Sequence, residues 1–415
     1  MNISGIHKEK ILPTRNENVL QSNGEFLWSD KWTIEDNVAW FVTANVNMLF
    51  CMNMADNQYR VVAILPDYLK GGFRRNSNCI KCDDVIFCMP DTGDCVWCFD
   101  LNSTEFRKIE ILNPQNVRLM ISDYWRCENI LWAVSRNLKQ IIEIDILRQT
   151  VIGYHKIADH KETIIRSTKF GKYIYVVSAL KGRIYEFNTE IKEVRILELP
   201  DIRSGLSTIS IFEDKFWMSG YKKEIYVWNK KNGRIKVLNQ FPSNFGVYNF
   251  NNKKNEIIDY EEIEYDAPLF LESIIAGNYI WFIPFQTNQI LYINRDTYEI
   301  KTFAIPEEQE NIDSLRTREL KCKYVIQYVR KDRYIGLYSV KNMVLFEIDS
   351  KELKVEKIFV TIDVNNLEKI ISGWCFRESV DGENSLYKKL VLQTIWSNAK
   401  KEEIGRKIFS RLLEK

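Results

Sequence analysis

Two closely spaced cysteine pairs are the first residues in this chain whose types and spacing could do chemistry. Cys79-Ile-Lys-Cys82 and Cys95-Val-Trp-Cys98 are separated by twelve residues. That is close to the spacing of zinc sites, in which thiolates close a tetrahedron around the ion. Histidine, which titrates nearest neutral pH, occurs only at His7, His155 and His160. His160 follows Asp159 in a polar stretch and is the candidate for general acid–base work. The G-x-S-x-G, H-E-x-x-H and P-loop signatures do not occur.

A further set is basic. Arg74 and Arg75 (GGFRRNSN), Arg118 (QNVRLM), Arg166 (TIIRST), Arg203 (DIRSGL), and Arg316 and Arg318 (SLRTREL) recur along the chain. A guanidinium grips a carboxylate or phosphate through two parallel hydrogen bonds. Brought to one place, Arg75, Arg118, Arg166, Arg203, Arg316 and Arg318 would bind an anionic ligand. Tyr124 and Trp125 follow Arg118 closely and offer rings on which a sugar could stack.

The element that must position these residues is a repeat. Gly277 to Pro306 reads GNYIWFIPFQTNQILYINRDTYEIKTFAIP, and Gly171 to Pro200 reads GKYIYVVSALKGRIYEFNTEIKEVRILELP. Each runs apolar, turn, apolar, turn, apolar, proline. Glu213 to Pro242 and Glu128 to Ile157 repeat the pattern, and looser copies begin at Asp36, Asp83 and Asp332, making seven. Trp40, Phe87, Trp132, Tyr175, Trp217 and Trp281 mark one position in six copies, with Gly336 in the seventh. The period is roughly 40–50 residues, that of a propeller blade, with longer gaps before the last two copies.

Each run has a physical reading. IWFIP has no polar face, as a strand covered on both sides requires. QILYIN mixes polar and apolar positions, and the charged, alternating KEVRILEL suits an outer edge. A short run before each copy, such as LSTISIF or LFLESII, supplies the innermost strand. The expected fold is all-β, a seven-bladed β-propeller over residues 36–376, with six or eight blades as alternatives. Residues 1–35 are expected to help close the ring, with Ile370 to Phe376 as a closing strand. In residues 377–415, Leu386, Leu390, Val391 and Ile395, then Ile404, Ile408, Phe409, Leu412 and Leu413, recur at helical spacing. They predict a short C-terminal α-helical extension that packs on the flank or mediates association.

The segments LWAVSRNLKQIIEIDILRQTVIGY and IWFIPFQTNQILYINRDTYEIKTFAIP resemble repeats of the streptogramin-lyase-like and NHL-type propellers and, more distantly, kelch propellers. Those repeats have an apolar-Trp-Phe run, a turn, an I-x-x-I-D/N strand and a T-x-x-I return. The resemblance implies a fold rather than an activity. Streptogramin lyases rely on histidine near the channel, and no matching constellation occurs here. The kelch double glycine occurs only at Gly71-Gly72, outside the blade position, and the Trp-Asp dipeptide of WD40 repeats does not occur.

The repeat re-reads the chemistry. Cys82 takes the place of Cys127 and Ala276, while Cys95 and Cys98 take those of Gln289 and Tyr292 within a strand. Residues three apart on a strand face opposite ways, so structural thiols are expected and no metal. His155 falls on an outer strand, where a solvated position is expected, and His160 on the connection between copies three and four. The arginines fall on five of the seven junctions leading into inner strands, and radial repetition would gather them at one mouth of the channel. The acidic insertion with Asp259, Tyr260, Glu261, Glu262, Glu264 and Asp266 is placed either to cover that mouth or to stand as a solvated loop.

Bulk properties narrow the classes. Lys and Arg total 58 against 56 Asp and Glu, and a net charge of +2 gives no push toward nucleic acid. No run of eighteen apolar residues predicts a membrane helix, and MNISGIHKEKILPT lacks the apolar core of a signal peptide. Nine cysteines without an export signal suggest reduced thiols and a cytoplasmic protein. No cofactor is expected. The function expected is a non-catalytic binding or scaffold propeller that recognises a partner protein or an anionic or sugar-like ligand at one channel mouth. The alternative is a lyase- or hydrolase-like enzyme acting there on an anionic or carbohydrate-like small molecule.

Overall fold

The computed structural model describes residues 19–22, 27–44, 47–66, 76–113, 117, 119–247, 267–308, 323–340 and 342–363. They form seven antiparallel sheets arranged as the blades of a propeller. The innermost strands of blades 1 to 7 are Thr33–Glu35, Asn76–Cys82, Ile121–Cys127, Ile164–Phe170, Leu206–Phe212, Phe270–Ala276 and Tyr324–Arg330. Each pairs with a second strand, then a third, then an outer one, in chain order. The second strands are almost wholly buried and the outer ones mostly part-exposed or exposed, most clearly in blade 4 with Tyr173–Ser178 against Glu193–Glu198.

The core is not one mass but seven apolar clusters, each shared by two successive blades. The last, with Trp32, Phe41 and Tyr59 from blade 1 and Tyr338 and Leu345 from blade 7, closes the circle. Closure is also made by strand hydrogen bonding: Val360–Asp363 pairs in parallel with the outer strand of blade 1, Gln58–Ile64, and Val19–Ser22 pairs with Val360–Asp363. The rim of blade 1 therefore carries both early and late chain. The closing strand expected at residues 370–376 and the helical extension at 377–415 lie outside the described residues. Among the described residues the one helical turn is a 3-10 turn at Pro306–Glu308.

The I-x-x-I-D/N pattern has a local cause. The last residue of every third strand is Asn53, Asp100, Asp145, Asn188, Asn229, Asn294 or Asp349. In all seven its side chain accepts a backbone N–H two or three residues on. Such a turn closes with a residue at positive φ. That residue stands four positions later in every blade: Asn57, Thr104, Gln149, Lys192, Gly233, Tyr298 and Leu353. A non-glycine residue there costs roughly 1–2 kcal/mol, which the Asx hydrogen bonds offset.

The aromatic anchors occupy the third position of each second strand, and all are buried. Blade 7 has Gly336 there. A Cβ on Gly336 would lie 2.2 Å from the ring of Tyr328, its partner across the inner pair. Tyr328 fills the space that an anchor fills in the other blades, and its hydroxyl donates to Glu347 at 3.0 Å.

Candidate functional site

The inner strands of blades 2 to 7 each carry a β-bulge against the second strand. A bulge re-aims the side chains beside it. The third residues of these strands are Asn78, Asp123, Arg166, Thr208, Glu272 and Ile326. Lys31 bridges Asn78 and stands in the equivalent place in blade 1. One ring position thus carries Lys31, Asp123, Arg166 and Glu272, two cations and two carboxylates.

Long-range interactions show that this ring meets at the axis. Arg166 Nε of blade 4 donates to the carbonyl of Leu271 in blade 6 at 3.1 Å, passing blade 5. Glu272 of blade 6 feels Arg166, Asp123 and Lys31, together with Asp30, from blades 4, 3 and 1. Blades so far apart in a ring of seven approach one another only at the channel.

The groups in the channel are not equally satisfied. Asp123 accepts from Ser122 Oγ at 3.1 Å and from Ser167 N and Oγ at 3.0 and 2.7 Å. Glu272 is partly buried and has no hydrogen-bond donor among the described residues; burial pushes its carboxyl above the usual range, against the pull of Arg166. Arg136 begins the turn after the second strand of blade 3, and its N–H donates to Met120 at the blade junction. Its buried Nε has no partner among the described residues, and its Nη1 meets only the Met120 thioether at 4.0 Å. Burial first, and the Arg166 charge second, pull Arg136 down to about 10; it remains a cation at neutral pH but an under-compensated one. Lys31 is exposed, with Nζ 5.4 Å from the Tyr124 ring centroid.

Of the residues singled out in the sequence, Arg166 lies in this channel ring. Arg203 is exposed on the junction into blade 5. Arg74, Arg75, Arg118, Arg316, Arg318 and the acidic insertion lie outside the described residues. Tyr124 is buried with its hydroxyl donating to Cys79 O at 3.0 Å, and Trp125 is partly buried against the core between blades 3 and 4; both rings serve packing. His160 is exposed, and its neighbour Asp159 is engaged by Lys156 at 2.7 Å. Arg136, Lys31 and Glu272 were not legible as site residues, because each looks like an ordinary turn or strand charge until the blades are superposed.

His155 corrects an expectation. It is not solvated: its side chain is 17% exposed, and Nε2 lies 2.9 Å from Glu143, which also receives Lys192 of blade 4. Lys192 lies 4.2 Å over the Trp132 ring. Blade 4 repeats the arrangement with Glu186, Lys230 of blade 5 and Tyr175. Glu143 and Glu186 hold the same place in their third strands, as Glu347 does in blade 7, where Arg330 and Tyr328 bind it. These are charged clamps, two of them joining successive blades.

The cysteine pairs lie on strands, Cys79 and Cys82 on the inner and Cys95 and Cys98 on the third strand of blade 2, all buried. Burial raises the Cys82 thiol to about 12 and those of Cys79 and Cys98 further. Burial thus keeps Cys79, Cys82 and Cys98 as protonated, unreactive thiols.

No family model matches the chain and no curated protein does. Among solved structures, the computationally designed Ika8 protein is similar, with a TM-score of 0.52 at 8% identity over 81% of this chain and 88% of that one. A chain of the mitotic checkpoint complex is similar with a TM-score of 0.50 at 11% identity, over 84% of this chain and 96% of that one. At such identities the likeness is one of fold alone. The class established is a seven-bladed β-propeller, a fold compatible with a binding or scaffold role. Among the described residues no helix is long and apolar enough to cross a membrane.

Proposed function

We propose that this propeller is a binding protein whose channel mouth, on the face of the blade junctions, takes a small anionic ligand. The observation that carries the reading is Arg136. Its guanidinium sits at that mouth with a buried Nε lacking any hydrogen-bond partner among the described residues. A buried donor left unmade costs about 1–3 kcal/mol, and an acidic ligand would supply the missing acceptor. Lys31 and Arg166 add positive charge around the same axis, and Asp123, Asp91 and Asp30 add negative charge that bears on Arg136 without hydrogen-bonding its Nε. A role as an enzyme has less support, since His160 is exposed and its neighbouring carboxylate is taken by Lys156.

Titration calorimetry with inorganic phosphate and citrate at low salt tests this. Binding in the millimolar range or tighter is expected, weakening as salt rises, with a loss of tenfold or more in Arg136→Gln. Absence of binding by the unaltered protein would sink the reading.

A further inference from the structure

The channel ring offers more than positive charge. Two of its charges are already spoken for: Asp123 accepts three hydrogen bonds, and Arg166 holds the Leu271 carbonyl. What remains without a hydrogen-bonded counterpart among the described residues is a carboxylate, Glu272, and two cations, Arg136 and Lys31. Both signs are needed to complete the site. A simple anion would satisfy Arg136 and leave Glu272 facing an added negative charge across a narrow channel, where like charges interact more strongly than in water. A simple amine would do the reverse.

Arg136 and Glu272 share neighbours. Arg166 bonds the carbonyl of Leu271, the residue beside Glu272, and the charges of Arg166, Asp123 and Asp30 act on both Arg136 and Glu272. They come from blades 3 and 6, on opposite sides of the ring, so a ligand between them would lie across the axis. Its ends must differ in charge: an acceptor toward Arg136 and a donor toward Glu272. At the same strand position Ile326 is turned into the core between blades 6 and 7, and Thr208 is buried against Ser219, so neither adds charge to the channel.

From this we infer that the channel mouth binds a zwitterionic small molecule of the amino-acid type, its carboxylate on Arg136 and Lys31 and its ammonium on Glu272. The inference rests on the reading of the channel mouth as a ligand site and names the class of ligand.

Calorimetry on the full chain with a series of ω-amino acids, from glycine to 6-aminohexanoate, measures it, since chain length reports the span between the two charges. The controls are the alkanoate and the alkylamine of matching length, and inorganic phosphate. At least one amino acid should bind tenfold or more tighter than both of its singly charged analogues. Glu272→Gln should bring that amino acid down to the level of the alkanoate, and Arg136→Gln to that of the alkylamine. Arg136→Lys, which keeps the charge, should retain part of the affinity, and circular dichroism confirms that each variant is folded. If alkanoates or phosphate bind as tightly as the amino acids and Glu272→Gln changes nothing, the anion site stands and the zwitterion does not. If neither amino acids nor single anions bind, both readings fall.

Discussion

The clamps between blades and the ring in the channel use the same kinds of residue to opposite ends. Glu143 and Glu186 are among the most buried carboxylates of the described residues, yet each is bonded: Glu143 to His155 and Lys192, Glu186 to Lys230. In the channel, Glu272 and Arg136 are less buried and have no hydrogen-bonding partner of opposite sign among the described residues. A buried charge is tolerated when its partners are fixed by the same fold. Two blades that pack face to face can fix them, because the third strand of one lies against the turn of the next. Blades meeting at an axis cannot, because the side chains there converge from several directions and one position must serve seven neighbours. The difference separates charge that holds the ring from charge that is left for something else.

The strongest way to break this contrast is to remove a clamp. Glu186→Ala strands Lys230 and the Tyr175 hydroxyl between blades 4 and 5, and a loss of about 2–4 kcal/mol is expected in urea unfolding. A loss below the error of the measurement would show that the clamp is ornamental.

Gly336→Ala probes the apolar packing of blade 7. The added methyl meets the Tyr328 ring, and overpacking of this kind costs about 1–3 kcal/mol. Tyr328→Ala combined with Gly336→Trp, which moves the aromatic back to the position it has in the other blades, should recover more stability than Tyr328→Ala alone. A double variant no more stable than the single would mean that the two positions do not share one space.

In the channel the sign reverses. The folded-state pKa of Glu272 is raised, so its ionisation costs stability as pH rises through that value, and the cost is absent at acid pH, where the carboxyl is protonated in both states. Glu272→Gln should therefore be as stable as the unaltered protein at acid pH and more stable at neutral pH, as urea unfolding at the two pH values would show. A variant less stable at neutral pH would move Glu272 to the side of the clamps.

The smallest effect separates charge from turn geometry. Asp349 is held at about 2, first by its hydrogen bond to Arg333, so the pair's stability is present above the usual aspartate range and disappears as pH falls through that value. Asp349→Asn keeps the Asx turn, as Asn does in four other blades, and should lose only the partly buried surface pair, about 0.5–1 kcal/mol. Asp349→Ala should lose about 1 kcal/mol more. Equal losses, followed by thermal unfolding at pH 7, would mean that the turn contributes nothing.

Much of the scaffold was legible in the chain. The anchors at Trp40, Phe87, Trp132, Tyr175, Trp217 and Trp281 gave the number of blades and the place of each second strand, because a residue that must be buried on both faces recurs once per blade. The Asp and Asn ending each third strand announced the turns, because those turns are built from hydrogen bonds between near neighbours in sequence. His155 misled, since an outer strand is solvated on average, and only the neighbouring Phe187, Trp132 and Glu143 bury this one.

What the sequence determined by itself, then, is whatever depends on neighbours along the chain: strands, turns, the blade period and the place of the cysteine pairs on strands. What the tertiary structure decided is whatever depends on residues far apart in sequence meeting at one point. The partners of Glu143 and Glu186, the filling of the Gly336 gap and the meeting of Lys31, Arg136, Arg166 and Glu272 in the channel all belong to that second kind. Their spacing in the chain carries no trace of it, because radial closure, not sequence distance, sets which side chains share the axis.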